Sequence, residues 1–419
     1  MKPIVSLAVG AWLATAWMGV AGEIQWEHLS SRKGQLPVPG ESRQQTGAVV
    51  GDFDRDGVLD FVLAFRHKPP ALVWYRRVSG PTAAPDESKT GGWTRWVIEP
   101  EYLTVEAGGA VHDIDGDGDF DIVFGGDWQS SEVWWWENPY PQFDPAVPWK
   151  RRTIKRGGAR QHHDQVFGDF KGTGRAQLAF WNQQAKTIFL ADIPPNPRQA
   201  EEWPAVAIFS GTVAGKLPYA EGMSAADIDG DGCVDLLAGN YWFKHLGAGQ
   251  FKPIAIGSLG GLIFAGQLVA GGLPEVVIAP GDSQGPVKWY ECRGNPLEPA
   301  AWLGHDLIGR TVIHGHSLQL GDVDGDGYLD VFVAEMAQWS SNKSEPDNPK
   351  ATAWICFGNG QGQFRKTELV VGHGWHEARL ADLDGDGDLD LLNKPYTWDT
   401  PRVDVWLNNG TGPRRSSTR

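Results

Sequence analysis

Acidic residues recur in this sequence at one fixed spacing that suits metal binding. The pattern D-x-D-x-D-G-x-x-D begins at Asp52, Asp113, Asp227, Asp322 and Asp382. In such a loop the alternating aspartates can point to one side, and the glycine allows a left-handed turn. Hard oxygen ligands in a flexible loop suit Ca²⁺ better than zinc or copper. We predict five structural Ca²⁺ sites with these ligands: Asp52, Asp54, Asp56, Asp60, Asp113, Asp115, Asp117, Asp121, Asp227, Asp229, Asp231, Asp235, Asp322, Asp324, Asp326, Asp330, Asp382, Asp384, Asp386 and Asp390.

An acidic hairpin turn without metal is the alternative, since Asp and Gly are common turn residues. Five copies with identical spacing favour a cation, because four packed carboxylates would otherwise repel one another. The last carboxylate falls at position nine rather than twelve, which excludes an EF-hand. The five sites hold 20 of the 52 acidic residues, so much of the formal charge of −15 is counter-charge for bound cations.

A second set of residues shares one offset from the repeats. Two eroded copies of the pattern begin at Asp169 and Gln267, which makes seven units spaced roughly 40 to 60 residues apart. The residue six positions before each unit is, in order, Thr46, Ala107, His163, Glu221, Gly261, His316 and His376. Three histidines at one offset predict a site for one divalent metal (Zn, Mn or Mg), with or without Glu221, or a general base. Hydrated channel lining or contacts with a partner are the alternatives.

The segments around each motif predict the elements that position these residues. A small or apolar stretch precedes each motif and an apolar run follows it, which favours a β-hairpin. A third strand is marked by Trp74, Trp135, Phe189, Trp242, Trp289, Trp354 and Trp406, and most units also have an aromatic residue that marks a fourth. We predict an all-β, seven-bladed β-propeller with four-stranded antiparallel blades. Ile24–Ser30 should supply the missing fourth strand of the last blade and close the ring.

In a propeller the first strand of each blade lines the axis, so the residues at the common offset should meet at one mouth of the channel. Loops after the second strands should reach the same mouth and bring Lys394 and Tyr396 to the catalytic set of His163, His316, His376 and Glu221. The same loops offer amide, charged and aromatic groups that suit a carbohydrate. The predicted substrate-binding residues are Arg66, Asp127, Trp128, Asn240, Tyr241 and Trp398. Ordinary rim residues are the alternative for this set.

The repeat motif, with the segments WICFGNGQGQF and WLNNGTG, resembles the FG-GAP or VCBS repeat family of calcium-binding propellers, which includes the head of integrin α chains. The resemblance covers essentially the whole chain after residue 22. It implies Ca²⁺ between the first two strands of a blade, on the face opposite the usual ligand surface. A propeller fold does not by itself define a function.

A narrower set of segments is similar to the propeller domain of aldos-2-ulose dehydratases: HHDQVFGDF, GMSAADIDGDG, GNYWF, HSLQLGDVDGDG and HEARLADLDGDGDLDLLNKPYTW. That resemblance implies removal of water from a keto-sugar anhydride in the propeller tunnel, with His163, His316, His376 and the Lys394–Tyr396 loop as participants. The chain has no room for the cupin domains of those enzymes, so we expect any isomerase step of those domains to be absent.

The composition of the chain limits where the protein can be located and which partners it can bind. Lys2, the apolar run from Ile4 to Val20 and the small residues that follow predict a signal peptide at 1–22, a propeller at 23–412 and a short basic tail at 413–419. An uncleaved membrane anchor is the alternative. We expect a secreted or periplasmic monomer without a membrane span after cleavage. The three cysteines form no disulfide framework, and the acidic charge argues against a nucleic-acid partner.

Two functions remain open at this point. One is a carbohydrate-active lyase or dehydratase that acts on a keto-sugar or uronide at the axial mouth. The other is a non-catalytic propeller that binds a glycan or a protein at the cell surface. Three histidines that converge on one axis favour the first.

Overall fold

Seven four-stranded antiparallel sheets form the described part of the chain. The computed structural model describes residues 23–78, 92–211 and 221–410, so the predicted signal peptide and basic tail lie outside it. We number the blades along the chain and the strands of each blade outwards from the axis. Within the described ranges, no helix is long and apolar enough to cross a bilayer.

The strands follow the seven repeat units in order. Blades 1 to 3 consist of Gln44–Gly51, Asp60–Arg66, Leu72–Arg77 and Trp93–Glu99; Ala110–His112, Asp121–Gly125, Val133–Glu137 and Lys150–Lys155; and Gln165–Gly168, Gln177–Asn182, Thr187–Asp192 and Ala205–Ser210. Blades 4 to 6 consist of Met223–Ala226, Asp235–Ala238, Tyr241–His245 and Phe251–Ala255; Leu262–Gly266, Glu275–Ala279, Lys288–Cys292 and Trp302–Asp306; and Ser317–Gly321, Asp330–Ala334, Thr352–Gly358 and Phe364–Val371. Blade 7 consists of His376–Ala381, Asp390–Lys394, Asp404–Asn408 and Trp26–Ser30.

Little regular structure lies outside the blades. Gln284–Gly285 pairs with Val312–Ile313 in a two-stranded sheet, and short 3-10 helices occur at Ser31–Lys33 and Pro299–Ala301. The prediction of a seven-bladed propeller is confirmed.

The N-terminal strand closes the ring, as predicted. Trp26 pairs with Asn408 and Ser30 with Asp404 in an antiparallel register. Leu29 is buried against Val405 and Leu407 of the neighbouring strand. Pairing the two ends of the chain in one sheet covers the edge that blade 7 would otherwise leave open.

Large aromatic side chains fill the space between neighbouring blades. Trp74 of blade 1 packs with Phe124 and Trp136 of blade 2, and all three are fully buried. The seven aromatic residues predicted to mark third strands all lie on third strands. Because each blade covers the face of the next, the blades form a continuous ring of apolar cores.

The first strands pack against one another in blade order, and that of blade 7 packs against that of blade 1, so they surround an axial channel. Each acidic loop connects a first strand to a second strand. The starts of the first strands and the ends of the second strands therefore lie together at the opposite end of the ring. This arrangement brings the histidines of the common offset to the same mouth as Arg66 and Lys394, the last residues of two second strands.

Candidate active site in the axial channel

Four residues of the common offset meet around the axis. The ligand atoms of His163, Glu221 and His316 all lie within 4.8 Å of one another, and all three residues are buried. The His376 ring stacks on that of His316, with ring centroids 4.4 Å apart and an interplanar angle of 26°. The structure therefore brings together three histidines and one glutamate from four different blades.

A cavity of about 290 Å³ opens at this cluster. His163, His316 and His376 line it together with Arg66, Trp128 and Tyr396. Glu106 and Asp282 also reach it. Its volume is at the small end of ligand pockets, which run from about 300 to 1,000 Å³, so it suits a monosaccharide-sized group.

His163 is held by a carboxylate next to it in sequence. Its Nδ1 lies 2.6 Å from Asp164 Oδ2, which also accepts a hydrogen bond from the Gly222 backbone N–H at 2.6 Å. Burial lowers the pKa of His163, but the charges of Asp164 and the more distant Glu106 and Glu221 outweigh it and raise the pKa to about 10. With Nδ1 engaged, Nε2 is the atom left for a ligand, and a metal would bind there by displacing its proton.

His316 has carboxylates on both sides of its ring. Its Nε2 lies 3.4 Å from Glu221 Oε2 and 3.6 Å from Asp282 Oδ1, while Nδ1 lies 3.3 Å from Glu377 Oε1. Burial lowers the pKa of His316, but Glu221 and Glu377 raise it well above the usual value. Burial and the nearby Asp282 raise the pKa of Glu221. The cluster is therefore a place where a cation is stabilised.

His376 differs from the other two histidines because its nearest charged neighbour is a lysine. The fully buried Lys394 places Nζ 2.8 Å from His376 Nδ1 and donates to the carbonyl oxygens of Gln45, Thr46 and His376 at 3.0 to 3.1 Å. Burial lowers the pKa of His376 well below its usual value, and Lys394 lowers it further. Burial also lowers the pKa of Lys394. His376 is therefore neutral.

Arg66 and Tyr396 also line the cavity. Arg66 donates to Glu106 Oε1 at 2.7 Å and approaches Asp127 Oδ2 at 3.5 Å. Its guanidinium carbon lies 5.6 Å from the centre of the Tyr396 ring, which also stacks on His376 at 4.8 Å. Burial raises the pKa of Tyr396, so its hydroxyl stays protonated at neutral pH.

The channel continues beyond this cluster. A second cavity of about 210 Å³ is lined by Asp164, His316, Glu377 and Arg379, among others. His316 lines both cavities. Glu377 accepts a hydrogen bond from Arg379 at 2.8 Å, so charged side chains line this second space.

The other residues predicted for substrate binding lie in different places. Asp127 is fully buried behind Arg66. Asn240 is buried and donates to the Gly257 carbonyl at 3.0 Å, and Tyr241 packs against Phe209 with ring centroids 5.8 Å apart. Neither lines the cavity, and neither does the half-buried Trp398. Glu221 and Lys394 support lining residues from behind.

Sequence reasoning missed Glu106 and Asp282. Glu106 stands one position before Ala107, and Asp282 follows the second strand of blade 5 by three residues. Glu106 lies next to a position of the common offset, and Asp282 lies in a loop after a second strand, so the two sequence patterns point to these segments. The sequence does not show that the side chain at the neighbouring position, rather than Ala107, supplies the charge.

The acidic loops have the turn that was predicted. Glycine at position six has a positive φ in all seven units, including the two eroded ones: Gly57, Gly118, Gly174, Gly232, Gly272, Gly327 and Gly387. At position three, Asp54, Asp115, Asp229 and Asp324 each have at least one buried carboxylate oxygen without a hydrogen-bond partner among the described residues. Such oxygens fit a hard cation, because an unpaired buried carboxylate oxygen is costly.

Basic side chains also reach these carboxylates. Arg76 contacts Asp54 at 2.5 Å, and Lys244 bridges Asp229 and Asp231. In the eroded loop of blade 5, the Gln267 amide donates to the carbonyls of Val269 and Gly271. In each of these loops, a basic side chain or a side-chain amide therefore donates hydrogen bonds to some of the oxygen atoms.

The carboxylate at position nine has a second role in the hairpin. Asp330 accepts backbone hydrogen bonds from Val323 in its own loop and from Gly358 on the third strand, both at 2.8 Å. Asp121 and Asp390 make the equivalent pairs. Burial raises the pKa of Asp330 to about 7. The last aspartate therefore fastens three strands together as well as facing the loop.

Comparison with known proteins shows the fold. No family model and no curated protein matches the chain. The crystal structure of BBS1N in complex with ARL6DN is 11% identical over 89% of this chain and 94% of that chain, with a TM-score of 0.50. Rhamnogalacturonan lyase YesW is 13% identical over 94% of this chain and 74% of that chain, with a TM-score of 0.46. The V. cholerae biofilm matrix protein Bap1 is 11% identical over 89% of both chains, with a TM-score of 0.44.

Proposed function

We propose that this chain is an exported, Ca²⁺-stabilised propeller of the FG-GAP/VCBS type and a carbohydrate-active lyase or dehydratase with its active site in the axial cavity. The observation that carries the proposal is the convergence of His163, Glu221 and His316, with ligand atoms within 4.8 Å of one another, next to a cavity that His163, His316, His376 and Tyr396 line. Two imidazoles and a carboxylate are donors of catalytic metal sites.

His163, Glu221 and His316 would hold a divalent metal, which supplies a Lewis acid for a carbonyl or carboxylate oxygen of the sugar. Arg66 lines the same cavity and can bind the same anionic group through its planar guanidinium. The aromatic face of Trp128, which is 52% exposed, can stack on the sugar ring.

His376 has the protonation state that a general base needs. Burial lowers the pKa of Lys394, and a neutral Lys394 amine would donate its two N–H groups to two of the three nearby carbonyl oxygens and accept the Nδ1–H of His376 with its lone pair. The Nε2 lone pair of His376 can then accept the proton from the carbon next to the carbonyl or carboxylate. Lys394 would act through the imidazole as a positioning residue.

Tyr396 is suited to the acid role in the same elimination. Its ring stacks on His376, so both groups reach one substrate. As His376 takes the carbon-bound proton, a carbon–carbon double bond forms, the carbon–oxygen bond beyond it breaks, and the Tyr396 hydroxyl protonates the leaving oxygen. Water or a sugar alcohol leaves, and proton transfer from His376 back to the phenolate restores both groups.

A panel of keto-sugars and uronides tests this function through the ultraviolet absorbance of the new conjugated double bond. The Tyr396→Phe variant should lower kcat by about 10²-fold to 10⁴-fold. Tyr290→Phe is the matched control, because Tyr290 is a buried tyrosine of blade 5 outside the cavity. Equal kcat values for the two variants on a turned-over sugar would contradict the acid role of Tyr396.

Glycan recognition without turnover is the second candidate. It is favoured by the contacts that the histidines already make, since His163 pairs with Asp164 and His376 with Lys394. In that case a sugar should bind with the same affinity to the wild type and to Tyr396→Phe, and no double bond should form. Neither binding nor turnover with any sugar would overturn both candidates.

A further inference from the structure

A second histidine cluster lies outside the axial channel. The ligand atoms of His28, His373 and Asp404 are all within 4.8 Å of one another. His28 belongs to the N-terminal strand that closes the ring, and Asp404 begins the third strand of blade 7. His373 lies in the segment that leads from the outer strand of blade 6 to the inner strand of blade 7. Three distant parts of the chain therefore meet at one carboxylate.

Asp404 lies between the two imidazoles. Its Oδ1 is 3.0 Å from His28 Nε2, and its Oδ2 is 3.3 Å from His373 Nε2. Two imidazole nitrogens and one carboxylate oxygen make up the three-ligand set found at zinc sites with an open fourth position. A metal ion would replace the two Nε2 protons that now lie against the carboxylate.

The surroundings hold these side chains in place. Trp406 stacks on His28 with ring centroids 4.0 Å apart and an interplanar angle of 5°, and it meets His373 edge-on at 6.2 Å. Arg402 Nε donates to Asp404 Oδ2 at 2.8 Å. That hydrogen bond fixes the carboxylate and leaves Oδ1 as the oxygen for a metal. Such outer contacts orient ligands and reduce the cost of ordering them on binding.

The cluster is open to solvent on the histidine side. The side chain of Asp404 is fully buried, whereas those of His28 and His373 are 20% and 19% exposed. An ion can therefore enter from the surface and keep a water molecule as its fourth ligand. Lys33 Nζ now lies 3.3 Å from His28 Nδ1. Because Lys33 is exposed and also bonds to the His28 carbonyl, it can leave Nδ1 when a metal takes Nε2.

We propose that His28, His373 and Asp404 bind a divalent transition metal of the zinc class and that this ion fastens the closing strand to blade 7. The ion would connect residues 28 and 404, and so join the two ends of the ring. Because the unfolded chain does not hold these ligands together, binding adds directly to the stability of the folded ring.

Zinc stoichiometry and the visible spectrum of bound Co²⁺ test the proposal on protein saturated with Ca²⁺. Four-coordinate nitrogen and oxygen ligands give Co²⁺ a far stronger spectrum than the all-oxygen loops would. His28→Gln and His373→Gln should each lose one equivalent of Zn²⁺ or bind it about tenfold more weakly or worse, and both should lose one Co²⁺ spectral component.

His305→Gln is the matched control. His305 also stacks on a tryptophan, Trp289, at 4.3 Å and also contacts a carboxylate, Glu291, at 2.8 Å, but that carboxylate pairs with Arg293 where Asp404 has a second histidine. It should bind Zn²⁺ like the wild type. The proposal is overturned if His28→Gln and His373→Gln bind as much Zn²⁺ as His305→Gln does, with the same Co²⁺ spectrum.

Two further variants separate this site from other effects. His316→Gln removes the axial cluster and should leave the Zn²⁺ equivalent of the closing strand in place, so failure of the axial metal and failure of this site give different stoichiometries. If His28→Gln does not fold, His373→Gln decides the matter, because it leaves the closing strand unchanged. A rise in Tm with Zn²⁺ in His316→Gln that disappears in His316→Gln/His373→Gln should accompany binding.

Discussion

His316 Nδ1 and Glu377 Oε1 lie 3.3 Å apart in the axial channel, and both atoms are buried without a hydrogen bond among the described residues. The other oxygen of Glu377 accepts from Arg379 at 2.8 Å. One carboxylate therefore lies between two cationic groups. Burial raises the pKa of Glu377, but Arg379 and His316 hold the pKa below its usual range. Glu377 and Arg379 line one of the two cavities of the channel, and His316 lines both.

Replacement of Glu377 by glutamine should destabilise the ring. The variant keeps the shape of the side chain but leaves His316 and Arg379 without their shared negative charge. Loss of one partner of a buried ion pair costs about 3 kcal/mol. Chemical denaturation should show this decrease in the free energy of unfolding, while Glu368→Gln on the exposed outer strand of blade 6 should change it little. Equal stability of the two variants would contradict a stabilising role for the Glu377 charge between His316 and Arg379.

Lys394 should make stability depend on pH in the alkaline range. Burial holds its pKa well below the ordinary value of 10.5, with Glu377 acting to raise it and Arg379 and Arg66 acting to lower it further. The unfolded chain then binds more protons at this residue than the folded protein, so stability rises with pH between the folded pKa and about 10.5.

The measurement is the free energy of unfolding between pH 7 and pH 10 for the wild type and for Lys394→Met. The difference between the two proteins should shift in favour of the wild type as the pH rises, because the cost of burying a protonatable amine disappears. Lys366→Met, at an exposed lysine of blade 6, should show no such trend. A constant difference across this range would mean that Lys394 titrates alike in both states.

Leu29 should provide much of the stability that the closing strand adds to the ring. Its side chain is 5% exposed and packs in the core between blades 7 and 1. Leu29→Ala should lower the free energy of unfolding by about 2–5 kcal/mol, since it removes buried apolar surface and leaves a cavity. Leu303→Ala is the matched control, because Leu303 lies on another outer strand and is 40% exposed. A similar small effect for both would show that the N-terminal strand is dispensable.

Ca²⁺ should bind to the five complete loops and raise the melting temperature. We expect about five Ca²⁺ per chain in the wild type and four in Asp324→Ala, since this substitution removes a position-three carboxylate with a buried oxygen. Asp144→Ala, at an exposed aspartate outside the repeats, should retain the wild-type number. Equilibrium dialysis and thermal unfolding with a chelator give the two readouts. No Ca²⁺-dependent change in either would favour metal-free acidic turns.

The fold could be predicted from local patterns in the sequence. Each hairpin is encoded by a contiguous stretch, with an apolar run for the strand and a glycine for the left-handed turn, so seven copies could be counted before any contact was known. The closing strand was readable for the same reason, since Trp26–Ser30 has the pattern of an outer strand that the last unit lacks. The common offset likewise led to His163, His316 and His376, because equivalent positions in a ring face the same axis.

The residues that contact those histidines could be identified only from the tertiary structure. Asp164 and Glu377 stand one residue after His163 and His376 and have positive φ values of 48° and 51°, so their carboxylates turn in directions that strand periodicity does not predict. Glu377 consequently pairs with His316 of the neighbouring blade rather than with His376. Lys394 and the cluster around Asp404 also depend on contacts between residues far apart in the chain. The sequence alone determined the repeats and the axis they surround, whereas the distances between blades decided which charges meet there.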